Sequence, residues 1–170
     1  QIDPEEPVMP ISRPSSWSSH LCAELDYFYT QNLPEDTQAF NSGILTAREF
    51  WEQMLYVYEE RSRALDYLLD HQDEDFLFVY FGTVDQGSHM LWHFMDDQHP
   101  AHIKDDFLQD AIAKLYEKLD SRLGRVREAI DKETTLIVMS DHGFAPFYWG
   151  VNLNTWLLDQ GYITLKDPSK

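Results

Sequence analysis

The chain has 170 residues, of which 43% are apolar and 14% aromatic, so it can bury a core and is not wholly disordered. It carries 13 basic and 30 acidic residues, a formal net charge of −17, which disfavours nucleic-acid backbones and anionic membranes as partners. Bound divalent cations can reverse the local field, so the net charge does not exclude a phosphate-ester substrate.

Cys22 is the only cysteine, which excludes an intrachain disulfide and a cysteine-rich zinc site. Any bound metal ion would therefore have histidine and carboxylate ligands. No apolar run approaches the roughly 18 residues that span a membrane, and the N-terminus lacks a basic and apolar signal pattern. These features favour a cytoplasmic location and no membrane partner, although an N-terminal Gln1 in place of Met is typical of a processed or truncated chain.

The N-terminal part of the chain, residues 1–45, is predicted to be an irregular lead-in followed by loops. Prolines recur through its first fourteen residues and disfavour both helix and central strand there. Residues 21–29 fit either a short helix or a strand. Thr46 and Glu49 then form an S/T-x-x-E capping box, and the apolar spacing behind it predicts a long amphipathic helix over about residues 47–70.

Residues 46–170 are predicted to form a helix–strand–helix–strand core. The uninterrupted apolar run at residues 76–81 suits a strand covered on both faces. Apolar residues then recur in steps of three and four from Leu108 to Ile130, which predicts a helix packed on a core. A second buried strand is expected at residues 134–139. A strand, a long helix and a strand form a parallel crossover unit.

The C-terminal segment is predicted to hold a short helix and a last strand. Asn154 could cap a helix that runs through Leu158, and residues 162–165 have the composition of a strand. The whole chain, residues 1–170, is therefore interpreted as one partial α/β domain with a parallel sheet and flanking helices.

Candidate metal ligands follow both predicted core strands. Asp85 and His89 stand four apart, so they would share one face if the segment turns helical after Asp85. Asp141 and His142 are adjacent, so they can chelate only from an irregular loop, for which Gly143 supplies backbone freedom. Ligands bind where the carboxyl ends of parallel strands meet. Two aspartates and two histidines suit zinc, with manganese or iron acceptable on ligand type.

Other polar and aromatic residues near these ligands have simpler explanations. His93, His99 and His102 could line a substrate pocket, but surface or capping roles are commoner for such histidines. The Asp96 and Asp97 pair fits an acidic turn. Several aromatic side chains could stack on a substrate ring, although core packing is their usual role; they are Trp92, Phe94, Phe147, Tyr148 and Trp149.

Two motifs carry a resemblance to a known family. The sequence SDHGF at residues 140–144 follows an apolar segment, and D-x-x-x-H occupies residues 85–89. Together they resemble the type I phosphodiesterase and nucleotide pyrophosphatase branch of the alkaline phosphatase superfamily. The resemblance extends over about residues 33–157. It implies part of an alkaline-phosphatase-like parallel-sheet sandwich with flanking helices, and hydrolysis of small phosphodiester or nucleotide substrates.

The resemblance also implies a two-metal site. Members use two zinc ions and a Thr or Ser nucleophile that becomes transiently phosphorylated or nucleotidylated. By that resemblance, Asp85 and His89 would hold one ion, and Asp141 and His142 the other, with manganese as a second choice of metal. One ion would activate the nucleophile and the other would stabilise the leaving oxygen or take the attacking water.

The chain also departs from the family pattern. An N-terminal strand ending in a metal-binding Asp and followed by the nucleophile has no counterpart before Asp85, and a further histidine ligand would fall beyond Lys170. Thr83, Ser88 and Ser140 do not occupy the nucleophile position, so no catalytic residue is assigned. We therefore expect an internal segment of a longer hydrolase that is inactive by itself and self-associates through exposed strand edges.

Three alternatives remain open from the sequence. The chain could be a degenerate relative that binds metal or phosphate without catalysis. It could be a structural module in which Asp85, His89, Asp141 and His142 only hold loops in place. It could also belong to a protein with another superfamily activity, as a phosphatase, phosphonate hydrolase, sulfatase or phosphomutase.

Overall fold

The computed structural model describes residues 2–71 and 75–167, and every regular element within these ranges is an α-helix. The helices are α1 (Trp17–Leu25), α2 (Thr37–Asn41), α3 (Ala47–His71), α4 (Thr83–Met95), α5 (Ala111–Ala129) and α6 (Leu153–Asp159). None of them is both long and apolar enough to cross a membrane.

The predicted parallel sheet, and with it the α/β fold class, is wrong for the part of the chain that the structure describes. Residues 76–81, 134–139 and 162–165 have no strand structure. The reason is that an apolar run supplies the side chains of a buried strand, but a strand also needs a neighbouring backbone to pair with. No described segment pairs with these three. The apolar side chains of residues 137–139 are consequently 72–75% exposed.

This exposed segment leads us to predict self-association of the chain. Ile137 is 74% exposed beside two similarly exposed apolar residues, and a stretch of this kind pairs readily with another copy. We expect the light scattered by the unmodified chain to grow with its concentration, and Ile137→Asp to reduce that growth. Ala113→Asp, which places a charge at an exposed site on α5, serves as the control. A monomer at all concentrations would contradict the prediction.

Helix α3 confirms the prediction of a long amphipathic helix, and the capping box that begins it is formed. The Thr46 backbone N–H donates to Glu49 Oε2 at 2.8 Å, and the Glu49 N–H donates to Thr46 Oγ1 at 3.2 Å. Phe50 and Met54 on its inner face are fully buried. The sequence-based bounds agree with the observed helix to within one residue at its C-terminal end.

We expect the capping box to contribute measurably to stability. Thr46→Ala removes the acceptor for the Glu49 N–H and should lower the free energy of unfolding by about 1 kcal/mol. Urea denaturation followed by circular dichroism measures this change. Thr46→Ser, which keeps the hydroxyl, is the matched control and should retain most of the stability. Equal loss in both variants would show that the cap itself is not responsible.

The core lies between α3, α4 and α5. Its buried members are Phe50, Trp51, Met54, Leu91, Phe94, Leu108, Ala111 and Leu115. Helix α5 was predicted, and its buried residues, Ala111, Ile112 and Leu115, all lie in its N-terminal half. Gly87 allows α4 to approach α5 closely, because a Cβ atom there would lie 2.5 Å from Leu115 Cδ1. This packing fixes α4, the helix that carries the candidate ligands.

The two ends of the chain differ in how well they were predicted. For residues 21–29, the sequence allowed a helix or a strand, and the first part of this range lies in helix α1. The described part of the proline-rich lead-in contains no regular element. Helix α6 was expected, but its cap is Asn152, whose side chain accepts the Thr155 N–H at 3.0 Å, and not Asn154.

Candidate metal centre

Helix α4 presents Asp85 and His89 on one face. Asp85 lies in the first turn, and the His89 imidazole lies one turn later, with Nε2 3.5 Å from Asp85 Oδ1. The prediction that Asp85 and His89 share one helix face is therefore confirmed. Asp85 is half-buried, and its Oδ1 atom accepts no hydrogen bond among the described residues.

The loop after residue 139 brings the second pair to the same place. His142 Nε2 lies 3.8 Å from Asp85 Oδ1 and 3.7 Å from Asp141 Oδ2. Its other ring nitrogen, Nδ1, lies 3.0 Å from the Gly143 carbonyl oxygen. When Nδ1–H donates this bond, the Nε2 lone pair faces the two carboxylates. Asp141 is the least enclosed of the four, with a side chain that is 86% exposed.

The electrostatics of this loop favour a charged imidazole. The Gly143 carbonyl raises the pKa of His142, and the carboxylates of Asp141 and Asp85 raise it further. When both histidines are neutral, the two carboxylates give this four-residue cluster a net negative charge. A divalent cation would compete with the proton for the His142 Nε2 lone pair.

Phe144 holds the loop against α4. Its ring meets His89 edge-on at a centroid distance of 4.8 Å, stacks on Trp92 at 5.8 Å, and lies 5.9 Å from His142. The SDHGF motif contained this residue, but the sequence did not indicate that it packs on α4. The only signal was the i, i+3 spacing of His89 and Trp92, which places both rings on one helix face.

Further along α4, the same loop is anchored by Tyr148. Its hydroxyl donates to Asp96 Oδ2 at 2.8 Å, and its ring meets His99 edge-on at 5.6 Å. The Tyr148 hydroxyl lowers the pKa of Asp96. Tyr148 is 37% exposed, so the default expectation of core packing was wrong for it. Residues 141–148 thus lie along the whole length of α4.

Glu35 is a buried acidic residue near the candidate centre that the sequence did not reveal, because it lies in a segment typical of turns. It is only 5% exposed, and neither of its carboxylate oxygens has a hydrogen-bond partner in the described part of the chain. Burial raises its pKa, and the charge of Asp85 adds to that rise. The pKa of Tyr80 is raised by burial and then by Asp85, Asp141 and Glu35. These groups therefore lie within electrostatic reach of one another.

An open groove of about 520 Å³ runs between α2 and α4 and reaches the centre through His89. Thr37, Phe40 and Asn41 line it from α2, and Gln86, His89, Met90 and His93 line it from α4. Burial lowers the pKa of His93, and His99 and His102 lower it further. His102 itself bonds the His93 carbonyl oxygen at 2.9 Å, in keeping with the structural role that was favoured for it.

Comparison with known proteins decides the family. The model of the family described as type I phosphodiesterase / nucleotide pyrophosphatase matches residues 11–170. The chain belongs to this family. The resemblance inferred from the two ligand motifs is thereby confirmed, and the chain is part of a family of phosphodiesterase and pyrophosphatase-type hydrolases that act on small phosphodiester or nucleotide substrates. Neither the curated proteins nor the solved structures contain a match to it.

In this phosphodiesterase-family chain, the donor atoms of each candidate pair are spaced almost as two ligands of one zinc ion would be. Two donors bound to one tetrahedral zinc ion at about 2.0–2.2 Å lie roughly 3.4 Å apart. The Asp85–His89 and Asp141–His142 atom pairs lie 3.5 and 3.7 Å apart. Within the described ranges, however, no group of three or more histidine, cysteine or acidic side chains is arranged to hold an ion. Neither pair therefore has a third ligand among the residues that the structure describes.

Proposed function

We propose that the chain supplies half of a two-metal phosphoryl-transfer site in a metal-dependent phosphodiesterase or nucleotide pyrophosphatase. In this proposal, Asp85 and His89 contribute to one ion, and Asp141 and His142 to the other. The observation that carries it is the position of Asp85 Oδ1, which lies 3.5 Å from His89 Nε2 and 3.8 Å from His142 Nε2 and accepts no hydrogen bond from the residues that the structure describes. Two distant parts of the chain thus converge on one oxygen.

The donor set favours zinc, with manganese as the second choice. Two such ions would lower the pKa of the attacking group and offset the charge of the transferring phosphoryl group. Residues of this chain orient and enclose the proposed ligands. The Gly143 carbonyl orients the His142 ring, and Phe144 excludes water from one side of His89. The groove beside His89 is the proposed place for the organic part of a small phosphodiester or nucleotide.

The nucleophile is proposed to come from outside the chain. Thr83 and Ser88 are each 2% exposed, so neither hydroxyl can reach a bound substrate. The Ser140 hydroxyl donates to the His142 carbonyl oxygen, which ties it to the loop. None of these groups is placed to attack phosphorus, and we therefore expect little or no turnover by the chain alone.

A structural module is the second candidate function. The ion pairs between His142, Asp85 and Asp141 need no metal, and they join the loop to α4 by themselves. If this is their whole role, the four residues stabilise the loop and bind no cation.

The experiment that tests the proposed function measures metal content and turnover on the same sample. The chain is stripped with a chelator, loaded with zinc or, in a second sample, with manganese, and assayed with a bis-aryl phosphodiester. Bound zinc with negligible turnover is the expected result. Robust turnover would overturn the claim that half of the site is missing. Absence of bound zinc and of bound manganese would favour the structural module.

Phe144 supplies a further test of the centre. Phe144→Ala removes the ring that packs on His89 and Trp92, so the loop should detach from α4. We expect zinc affinity to fall by about 10- to 100-fold, as for residues that orient metal ligands. Tryptophan fluorescence should shift as Trp92 gains solvent. Phe147→Ala removes a ring that is 77% exposed and is the matched control. An unchanged affinity in Phe144→Ala would contradict this role.

A further inference from the structure

A second cavity, of about 270 Å³, lies on a different part of the molecule, where the N-terminal lead-in crosses the segment after α1 and the side of α3. Its walls are mainly aromatic and acidic, and they include Asp3, Tyr27, Phe28, Tyr29, Tyr56 and Glu60. None of these residues belongs to the candidate metal centre or to the groove beside His89.

The walls of this cavity are tied together by hydrogen bonds. The Ile2 N–H donates to Thr30 Oγ1 at 2.9 Å, and the Thr30 hydroxyl donates to the Ile2 carbonyl oxygen at 2.7 Å. The Tyr27 hydroxyl donates to Glu5. The lead-in is therefore held beside the aromatic segment, and the cavity is a property of the fold.

Two of the rings stand at right angles to each other. The Tyr29 and Tyr56 rings have an interplanar angle of 87° and a centroid distance of 6.2 Å. Tyr56 is 56% exposed and Tyr27 is 58% exposed, so both rings are accessible to a ligand from solvent. Aromatic faces attract cations through their electron density, and perpendicular rings can contact one cation from two sides.

Glu60 provides a buried carboxyl group in the wall of the same cavity. Its side chain is 5% exposed, and Oε2 accepts the Tyr29 N–H at 3.1 Å. Its other oxygen, Oε1, is buried and has no hydrogen-bond partner in the described residues. A buried carboxylate oxygen without a partner is destabilising unless a ligand satisfies it. Asp3 adds a second carboxylate, while Arg61 and Arg63 lie within electrostatic range of Glu60 on α3.

We propose that this cavity binds an organic ammonium ion, with the cationic head group against the tyrosine rings and beside the Glu60 side chain. An inorganic divalent ion fits less well, because no described group of three ligating side chains surrounds the cavity. A primary or methylated ammonium needs only one carboxylate and several aromatic faces. The inference is independent of the proposed hydrolase function.

Titration of the complete chain with tetramethylammonium chloride tests the proposal. The amide resonance of Tyr29, whose N–H bonds Glu60, reports binding by nuclear magnetic resonance. A saturable shift is expected with tetramethylammonium and not with tert-butanol, its neutral counterpart of similar shape, or with potassium chloride at equal ionic strength. No saturable shift, or the same shift with either control, would overturn the proposal.

Variants separate the charge of Glu60 from the aromatic contacts. Glu60→Gln should weaken tetramethylammonium binding by about tenfold or more, and Tyr56→Ala by about tenfold, whereas Tyr56→Phe should retain it. Glu59→Gln, next to Glu60 but exposed and paired with Lys118, is the control and should bind normally. If Glu60→Gln does not fold, the two Tyr56 variants still test the proposal. Equal tetramethylammonium affinity in Tyr56→Ala and Tyr56→Phe would exclude an aromatic cation site.

Discussion

We expect replacement of Asp85 by Asn to lower the zinc affinity of the chain by at least about 100-fold, the upper end of the range for residues that merely support a ligand. The reason is that Asp85 Oδ1 lies within 3.8 Å of both His89 Nε2 and His142 Nε2. Asparagine keeps the size of the side chain but removes the charge that attracts a cation and holds the histidines in place. Calorimetric titration with zinc in the presence of a competing chelator measures the affinity.

A control just beyond the C-terminal end of α4 separates this effect from the general acidity of the chain. Asp97→Asn removes an exposed carboxylate that accepts a hydrogen bond from the neighbouring Gln98 side chain, so zinc affinity should be unchanged. His142→Ala should reproduce the loss expected for Asp85→Asn, because it removes the imidazole that the loop after residue 139 places beside Asp85. Retention of tight zinc binding in both Asp85→Asn and His142→Ala would leave the structural module as the better explanation.

We expect replacement of Phe50 by Ala to lower the free energy of unfolding by about 3–5 kcal/mol. Phe50 is 0% exposed, it belongs to the cluster between α3, α4 and α5, and its ring stacks on Phe40 at 4.9 Å. The truncation loses the burial of an aromatic ring and leaves a cavity that neighbouring helices fill only in part. Urea denaturation monitored by circular dichroism gives the change.

The control for this core variant is Phe76→Ala, which removes a ring that is 80% exposed and should cost well under about 1 kcal/mol. Phe50→Leu, which keeps most of the apolar volume, should fall between the unmodified chain and Phe50→Ala. If Phe50→Ala and Phe76→Ala were equally stable, the three-helix cluster would not be the main source of stability.

Helices α3 and α5 were predictable because their signals are local. Thr46 and Glu49 satisfy the first backbone groups of α3 within one turn, and the apolar stripe of α5 repeats at the helical period whatever lies opposite it. The apolar run at residues 134–139 is different. Its composition suits a strand, but a strand depends on a partner backbone, and composition carries no information about that partner.

The candidate site was predicted in part for the same reason. The spacing of Asp85 and His89 acts through the helix that contains both, so their shared face followed from the sequence. Glu35 could not be recognised, because its burial beside the centre depends on how the segment before α2 packs. The aromatic contact of Phe144 with His89 likewise joins positions far apart in the chain.

The sequence by itself determined the family, the two long helices and the residue types of the candidate centre, because motif spacing and helical periodicity depend on neighbours within a few turns. Only the tertiary structure decided that His142 reaches Asp85. Within the described residues, it also decided that the buried Glu35 carboxylate has no hydrogen-bond partner and that the predicted strands lack pairing. These features depend on contacts between distant segments, whose free energies arise from packing and desolvation in three dimensions.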